Sequence, residues 1–173
     1  MRLSHSFLVL SVTAAFVGCA TEDAASSSGG TTAASAGGNQ ASSFTVDQLN
    51  GTGKVGLQSN KVMIVDFWAT WCEPCKKSFP KLQELYLKYK ASGLEIAAIS
   101  EDDEKGGIVD FANTYGAKFP VGWDGDKSIA KKYQPKSMPS TFIVDRKGVI
   151  RFVHTGYHDG EEVEIEKEIK SLM

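Results

Sequence analysis

An α/β fold, with a central mixed β-sheet and helices on both faces, is what the sequence predicts from Phe44 to Met173. Three observations carry this reading. Val62–Trp68 (VMIVDFW) and Leu94–Ser100 (LEIAAIS) are nearly continuous apolar runs, the pattern of strands buried on both faces. Amphipathic helical segments separate such runs, and alternating strands and helices build parallel sheets through crossovers. Thr141–Asp145 and Val149–Thr155 flank Arg146-Lys147-Gly148, a hairpin signal that adds antiparallel strands.

In chain order, Val62–Trp68 opens the predicted core. Pro74–Lys90 follows as a helix, because Phe79, Leu82, Tyr86 and Tyr89 recur at helical spacing. Gly93 stops it, and Leu94–Ser100 forms the second strand. Ile108, Phe111, Ala112 and Tyr115 mark another helix, ended by Gly116. Val121–Trp123 reads as a short strand and Ser128–Tyr133 as a short helix. After the hairpin, Asp159 opens a last helix, with Glu161 and Glu162 in its first turn and Ile165, Ile169 and Leu172 as its apolar stripe.

The first 43 residues read as address and tether. Phe7–Val17 is apolar but only eleven residues long, against the roughly 20 needed to span a bilayer. It suits the h-region of a signal peptide covering residues 1–18. Phe16-Val17-Gly18-Cys19 resembles a bacterial lipobox, so Cys19 is the expected lipidation site, with Phe16 departing from the usual aliphatic residue. Ala20–Ser43 holds 20 Ala, Ser, Gly or Thr in 24 positions. It lacks the apolar surface to offset its ordering entropy. Residues 19–43 are therefore expected to tether a domain, residues 44–173, to a membrane.

Composition narrows the function classes. The 173 residues include 19 Lys and Arg against 21 Asp and Glu. That balance excludes the basic surface of a nucleic-acid binder. Three cysteines are too few for a four-thiolate metal site or a disulfide-dense scaffold.

The chemistry concentrates at Cys72-Glu73-Pro74-Cys75. A buried strand hands over to a helix there, which leaves Cys72 at the helix N-terminus. Unpaired amides and the helix dipole stabilise a thiolate in that position. Cys75 falls in the first turn, close enough to form a small disulfide ring. Redox exchange needs this pairing of an exposed acidic thiol that attacks with a shielded thiol that resolves. A static disulfide is the weaker reading, because a four-residue loop constrains the unfolded chain little. A metal pair lacks two ligands. Asp66, in the middle of an apolar strand, is costly to ionise. Its pKa should be raised, which fits it to exchange protons with Cys75; the alternative is a hydrogen-bonded structural residue.

The segment Asp66-Phe67-Trp68-Ala69-Thr70-Trp71-Cys72-Glu73-Pro74-Cys75-Lys76-Lys77 resembles the active site of the thioredoxin superfamily. With the signal, tether and Glu-Pro dipeptide, the chain is most similar to TlpA/ResA-type membrane-anchored thiol-disulfide oxidoreductases. Pro80 matches the proline that kinks the family's active-site helix, and Met138-Pro139-Ser140 matches its cis-proline loop. The resemblance implies a thioredoxin-like fold and a cis Pro139, with Met138 docking the substrate chain. Trp71, Glu73 and Pro74 complete the expected docking surface. One departure stands out: ResA-type proteins carry a glutamate where this chain has Ser78. The proton-transfer role is expected to have shifted to Asp66.

The function expected is therefore that of an exported thiol-disulfide oxidoreductase, a reductase of protein disulfides, with cytochrome c maturation the leading role by resemblance. No cofactor and no metal are implied. The implied partners are disulfide-bearing proteins, a membrane thiol electron donor upstream and the membrane itself through the lipid anchor; the domain is expected to be a monomer at the periplasmic or extracellular face. The alternatives are an oxidase or isomerase on the same fold, a thiol peroxidase, or a metal-chaperone module. Glu101-Asp102-Asp103-Glu104 reads as a solvated acidic helix start. His154 and His158 lack partners at metal-ligand spacing.

Overall fold

The computed structural model describes residues 38–173. The signal segment, Cys19 and most of the tether lie outside the described residues. The elements run β1 (Thr45–Asp47), β2 (Lys54–Gly56), β3 (Val62–Trp68), α1 (Glu73–Tyr89), a 3₁₀ turn (Lys90–Ser92), β4 (Leu94–Ser100), α2 (Ile108–Thr114), β5 (Val121–Trp123), α3 (Ser128–Tyr133), β6 (Ser140–Val144), β7 (Ile150–Thr155) and α4 (Glu161–Leu172).

The main sheet has five strands in the order β5-β4-β3-β6-β7. β3 runs parallel to β4 and antiparallel to β6, so the mixed sheet follows the predicted scheme. Side-chain alternation along β3 divides the core. Val62, Ile64 and Trp68 join Phe79, Leu82 and Tyr86 of α1 and Ile165 and Ile169 of α4 in one cluster. Met63, Val65 and Phe67 turn to the other face, against Phe44, Val55, Ile129 and Tyr133. Helices thus cover both faces, α1 and α4 on one and α3 on the other. β3 sits at the centre, and its C-terminal end carries the redox segment.

Several local expectations are corrected. The folded region begins before Phe44: the Ala41 amide bonds the Gly148 carbonyl at 2.8 Å, and Ala41 is buried. Residues 39–41 therefore belong to the domain rather than the tether, anchored by backbone pairing that needs no apolar side chain. β1 and β2, three residues each, pair only with one another and carry too short a pattern to read in sequence. Gly160, at φ 93°, precedes α4 in place of Asp159; this left-handed conformation suits glycine. The acidic quartet divides. Asp103 and Glu104 are exposed, but Glu101 and Asp102 are buried. Burial and the neighbouring Asp124 push the Glu101 pKa up to about 7.

Candidate active site

Cys72 is the N-cap of α1, with Glu73 and Pro74 in the first turn. Its Sγ accepts from the Cys75 amide at 3.3 Å. Cys72 and Cys75 are disulfide-bonded, their Cα atoms 5.3 Å apart. The pair is asymmetric in its surroundings, but less open than expected. Cys72 is 3% exposed and Cys75 is wholly buried. The expectation of an exposed Cys72 is corrected: in the disulfide state Cys72 is buried, and its neighbour Trp71, 69% exposed, is the projecting group.

The loop presenting Cys72 is braced from below. Asp102 accepts from the Thr70 amide at 3.0 Å, the Thr70 hydroxyl at 2.7 Å and the Ser100 hydroxyl at 2.7 Å. The Cys72 amide bonds the Ala69 carbonyl at 3.1 Å. A carboxylate taking three donors is a strong local clamp. Reading the quartet as a solvated run concealed Asp102; the signal available was its position just past a buried strand end.

Trp71, Cys72, Glu73, Pro74 and Met138 line one groove of about 360 Å³, together with Pro135, Lys136 and Ser137. The Met138–Pro139 peptide bond is cis. The structure thus brings most of the expected docking residues to one side of the dithiol and adds the 135–137 segment. Glu73 is also held by Lys76 at 2.6 Å on the exposed surface.

Asp66 lies on β3 and is wholly buried. Its alternation places it on the α1-facing side, with Ile64 and Trp68. The Thr141 hydroxyl donates to Oδ1 at 2.7 Å, while Oδ2 has no partner among the described residues. Burial pushes the Asp66 pKa up to about 7, only partly offset by Thr141. This carboxyl can carry a proton near neutrality and give it up at modest cost. Sequence reasoning missed Thr141; the signal was the antiparallel register that places Thr141 opposite Asp66. Ser78 is buried, and its hydroxyl donates to the Cys75 carbonyl at 3.2 Å.

Residues 37–153 match the AhpC/TSA family. Over 127 residues the chain is 36% identical to thiol-disulfide oxidoreductase ResA of Bacillus anthracis, covering 72% of this chain and 73% of that one. ResA of Bacillus subtilis (strain 168) is 35% identical over 120 residues, 68% of this chain and 66% of that protein. A solved structure from Chlorobium tepidum, described as a thiol:disulfide interchange protein DsbE, superposes with a TM-score of 0.73 at 31% identity, over 78% of this chain and 96% of that one. By its matched span, its identity to ResA and its sheet topology, the chain belongs to the AhpC/TSA family and is a thiol-disulfide oxidoreductase of thioredoxin-like fold.

Proposed function

We propose that the protein reduces disulfides of exported protein substrates, with Cys72 as nucleophile, Cys75 as resolving thiol and Asp66 as the proton-handling group. The observation that carries this reading is the Cys72–Cys75 pair at the N-terminus of α1, opening on the Trp71–Met138 groove. In the reduced enzyme the Cys72 thiolate attacks one sulfur of a substrate disulfide. The other substrate sulfur leaves as a thiolate, and a mixed disulfide forms. Asp66 takes the proton from Cys75. The Cys75 thiolate then attacks the Cys72 sulfur, which closes the Cys72–Cys75 bond and frees the second substrate thiolate. Two electrons pass from enzyme to substrate, and the substrate sulfurs leave with protons from solvent and from Asp66.

The groove holds the substrate while this happens. The face of Trp71 and the side chain of Met138 offer apolar contact beside the attacking sulfur, and the Met138 backbone pairs with an extended substrate chain. Each turnover leaves the enzyme oxidised, so a membrane thiol donor must return two electrons. Anchoring through lipid on Cys19 would hold the enzyme near that donor, facing the periplasm or extracellular side. Apocytochrome c, whose cysteines must be reduced before haem attachment, is the leading substrate. The domain works as a monomer.

Trapping tests the roles of the cysteines. Cys75→Ser should accumulate mixed disulfides through Cys72, whereas Cys72→Ser should form none. Full exchange activity in Cys72→Ser would refute the assignment. The reduction potential of the dithiol, measured against glutathione, decides direction: a value below about −250 mV marks a reductase, and one near −120 mV an oxidase. Radiolabelled palmitate should enter the full chain and be lost in Cys19→Ser.

A further inference from the structure

A buried charge cluster lies on the same sheet face as Asp66 and has no part in the exchange steps above. Asp66 of β3 is opposite Thr141 of β6, and Thr141 is opposite His154 of β7. Residues directly opposite one another point to the same face, so the three side chains form a polar row across three adjacent strands. Phe152, two residues from His154, packs into the α1–α4 cluster and fixes which face this is. Helix α4 crosses the end of the row. Glu161 and Glu168, two turns apart on α4, flank the imidazole: Glu161 Oε1 is 3.5 Å from Nδ1 and Glu168 Oε2 is 2.7 Å from Nε2. His154, Glu161 and Glu168 are all buried, at 5%, 5% and 8% exposure.

Two carboxyl groups flank one imidazole in the interior, more acid than the single ring can neutralise. For stability alone this is a poor arrangement, since an apolar trio of similar volume does as well or better. The charge has a direction. Glu161 is the carboxylate whose charge acts on Asp66, in the sense that favours a proton there. Glu161 also shares a narrow cleft with Ser78 and Thr141, the residues touching Cys75 and Asp66.

The other groups facing the cluster are accounted for. From α1, Lys81 lines the cleft but pairs with Glu84 at 3.5 Å. From the β7–α4 loop, the Tyr157 hydroxyl donates to Glu162 at 3.3 Å. On α4 itself, burial raises the Glu168 pKa, His154 offsets this only in part, and Glu164 adds to it. His154 is thus the group held between the two carboxyls. Burial works against its charge, but the hydrogen bonds it donates to Glu161 and Glu168 outweigh burial and raise its pKa.

We propose that the His154–Glu161–Glu168 cluster is a positioning group for the dithiol: it sets the Glu161 carboxyl across the Thr141 cleft from Asp66, where it reinforces the hold that burial gives Asp66 on the proton that Cys75 exchanges. Glu161 exerts the charge on Asp66. His154 pairs with both carboxyl groups and so holds Glu161 in place at the cleft. The inference rests on the reading of Asp66 as the proton-handling group.

The test is a ¹³C-carboxyl NMR titration of Asp66 in the oxidised full chain. Glu161→Gln keeps a hydrogen-bond acceptor for His154 but removes the charge. It should lower the Asp66 midpoint, by less than the shift that burial causes. Glu161→Asp keeps the charge and should leave the midpoint near its wild-type value. Glu168→Gln, acting through His154, should lower it by less, and it serves if Glu161→Gln does not fold. The pH profile of disulfide exchange should move with the midpoint. A folded Glu161→Gln protein with an unshifted midpoint overturns the proposal, as does an equal shift in Glu161→Asp, which would make packing the cause. An unchanged exchange rate in Asp66→Asn instead removes Asp66 from the exchange steps, a separate failure.

Discussion

Asp66→Asn should stabilise the oxidised protein, and the gain should grow as pH rises. The folded-state pKa of Asp66 is raised from 3.8 to about 7 by burial. Between those values the folded protein holds a proton that the unfolded chain releases, so stability falls with increasing pH. Linkage puts the cost of this one carboxyl at about 2 kcal/mol at pH 5 and about 4 kcal/mol at pH 8. Asparagine removes the titration, and its Oδ1 can still accept the Thr141 hydroxyl. Its amide hydrogens take the place of Oδ2, which has no partner among the described residues, and leaving them unsatisfied costs about 1 kcal/mol or more. That penalty does not depend on pH. The decisive quantity is therefore the difference: the stability gain should be roughly 2–3 kcal/mol larger at pH 8 than at pH 5. Urea unfolding of both proteins with the disulfide intact measures it. The same substitution should slow disulfide exchange by about 10²-fold, the lower range for losing a positioned acid or base. A stability difference that is flat between pH 5 and pH 8 would refute the account of Asp66 as a buried, proton-holding carboxyl.

Three further outcomes follow from the site. Trp71→Ala should slow reduction of folded protein disulfides several-fold while leaving reaction with a small dithiol unchanged, because Trp71 is an exposed wall of the groove that a protein substrate would cover; stopped-flow rates with both substrates check this. Asp102→Asn weakens the clamp on Thr70 and Ser100, and should cost about 1–3 kcal/mol in urea unfolding, the range for disrupting a buried charged hydrogen-bonded group. Thr141→Val removes the hydrogen bond that lowers the Asp66 pKa, so the Asp66 midpoint should move upward, opposite to the shift in Glu161→Gln, when followed by carboxyl NMR.

Long, strongly patterned segments were legible in the sequence. β3 and β4 announced themselves as apolar runs buried on both faces, and α1 through Phe79, Leu82 and Tyr86. The strand–loop–helix context located Cys72 at a helix N-terminus before any coordinate did. The hidden parts depend on register or on packing between distant segments. Thr141 matters because it is paired with Asp66 across 75 positions. His154 has no partner nearby in sequence at metal spacing, yet α4 folds back and places two glutamates on it. Asp102 sits in a run of four acids, and only the loop turning over β4 buries it. Polar residues whose partners come from another element leave almost no local signal.

Ser78 offers the sharpest test of how the acid is supplied. The ResA-type pattern puts a glutamate there, on α1; in this chain Ser78 is buried and faces a cleft shared with Thr141 and Glu161 of α4. Two positions on different helices thus border one small space, and a carboxylate fits from either side but not comfortably from both. Ser78→Glu alone should overfill the cleft and set two carboxylates together, costing about 1–3 kcal/mol from packing, with a further loss at alkaline pH as both ionise. Glu161→Gln alone should lower the Asp66 midpoint. Combined, the two substitutions return the count of acids to that of the wild type, with the charge now arriving from α1. The double variant should therefore recover the Asp66 midpoint and be more stable than Ser78→Glu by about 1 kcal/mol or more, a coupling that separates it from two independent effects. Additive stability changes, with the midpoint still low, would show that position 78 cannot replace Glu161 and that the charge beside Asp66 must come from α4.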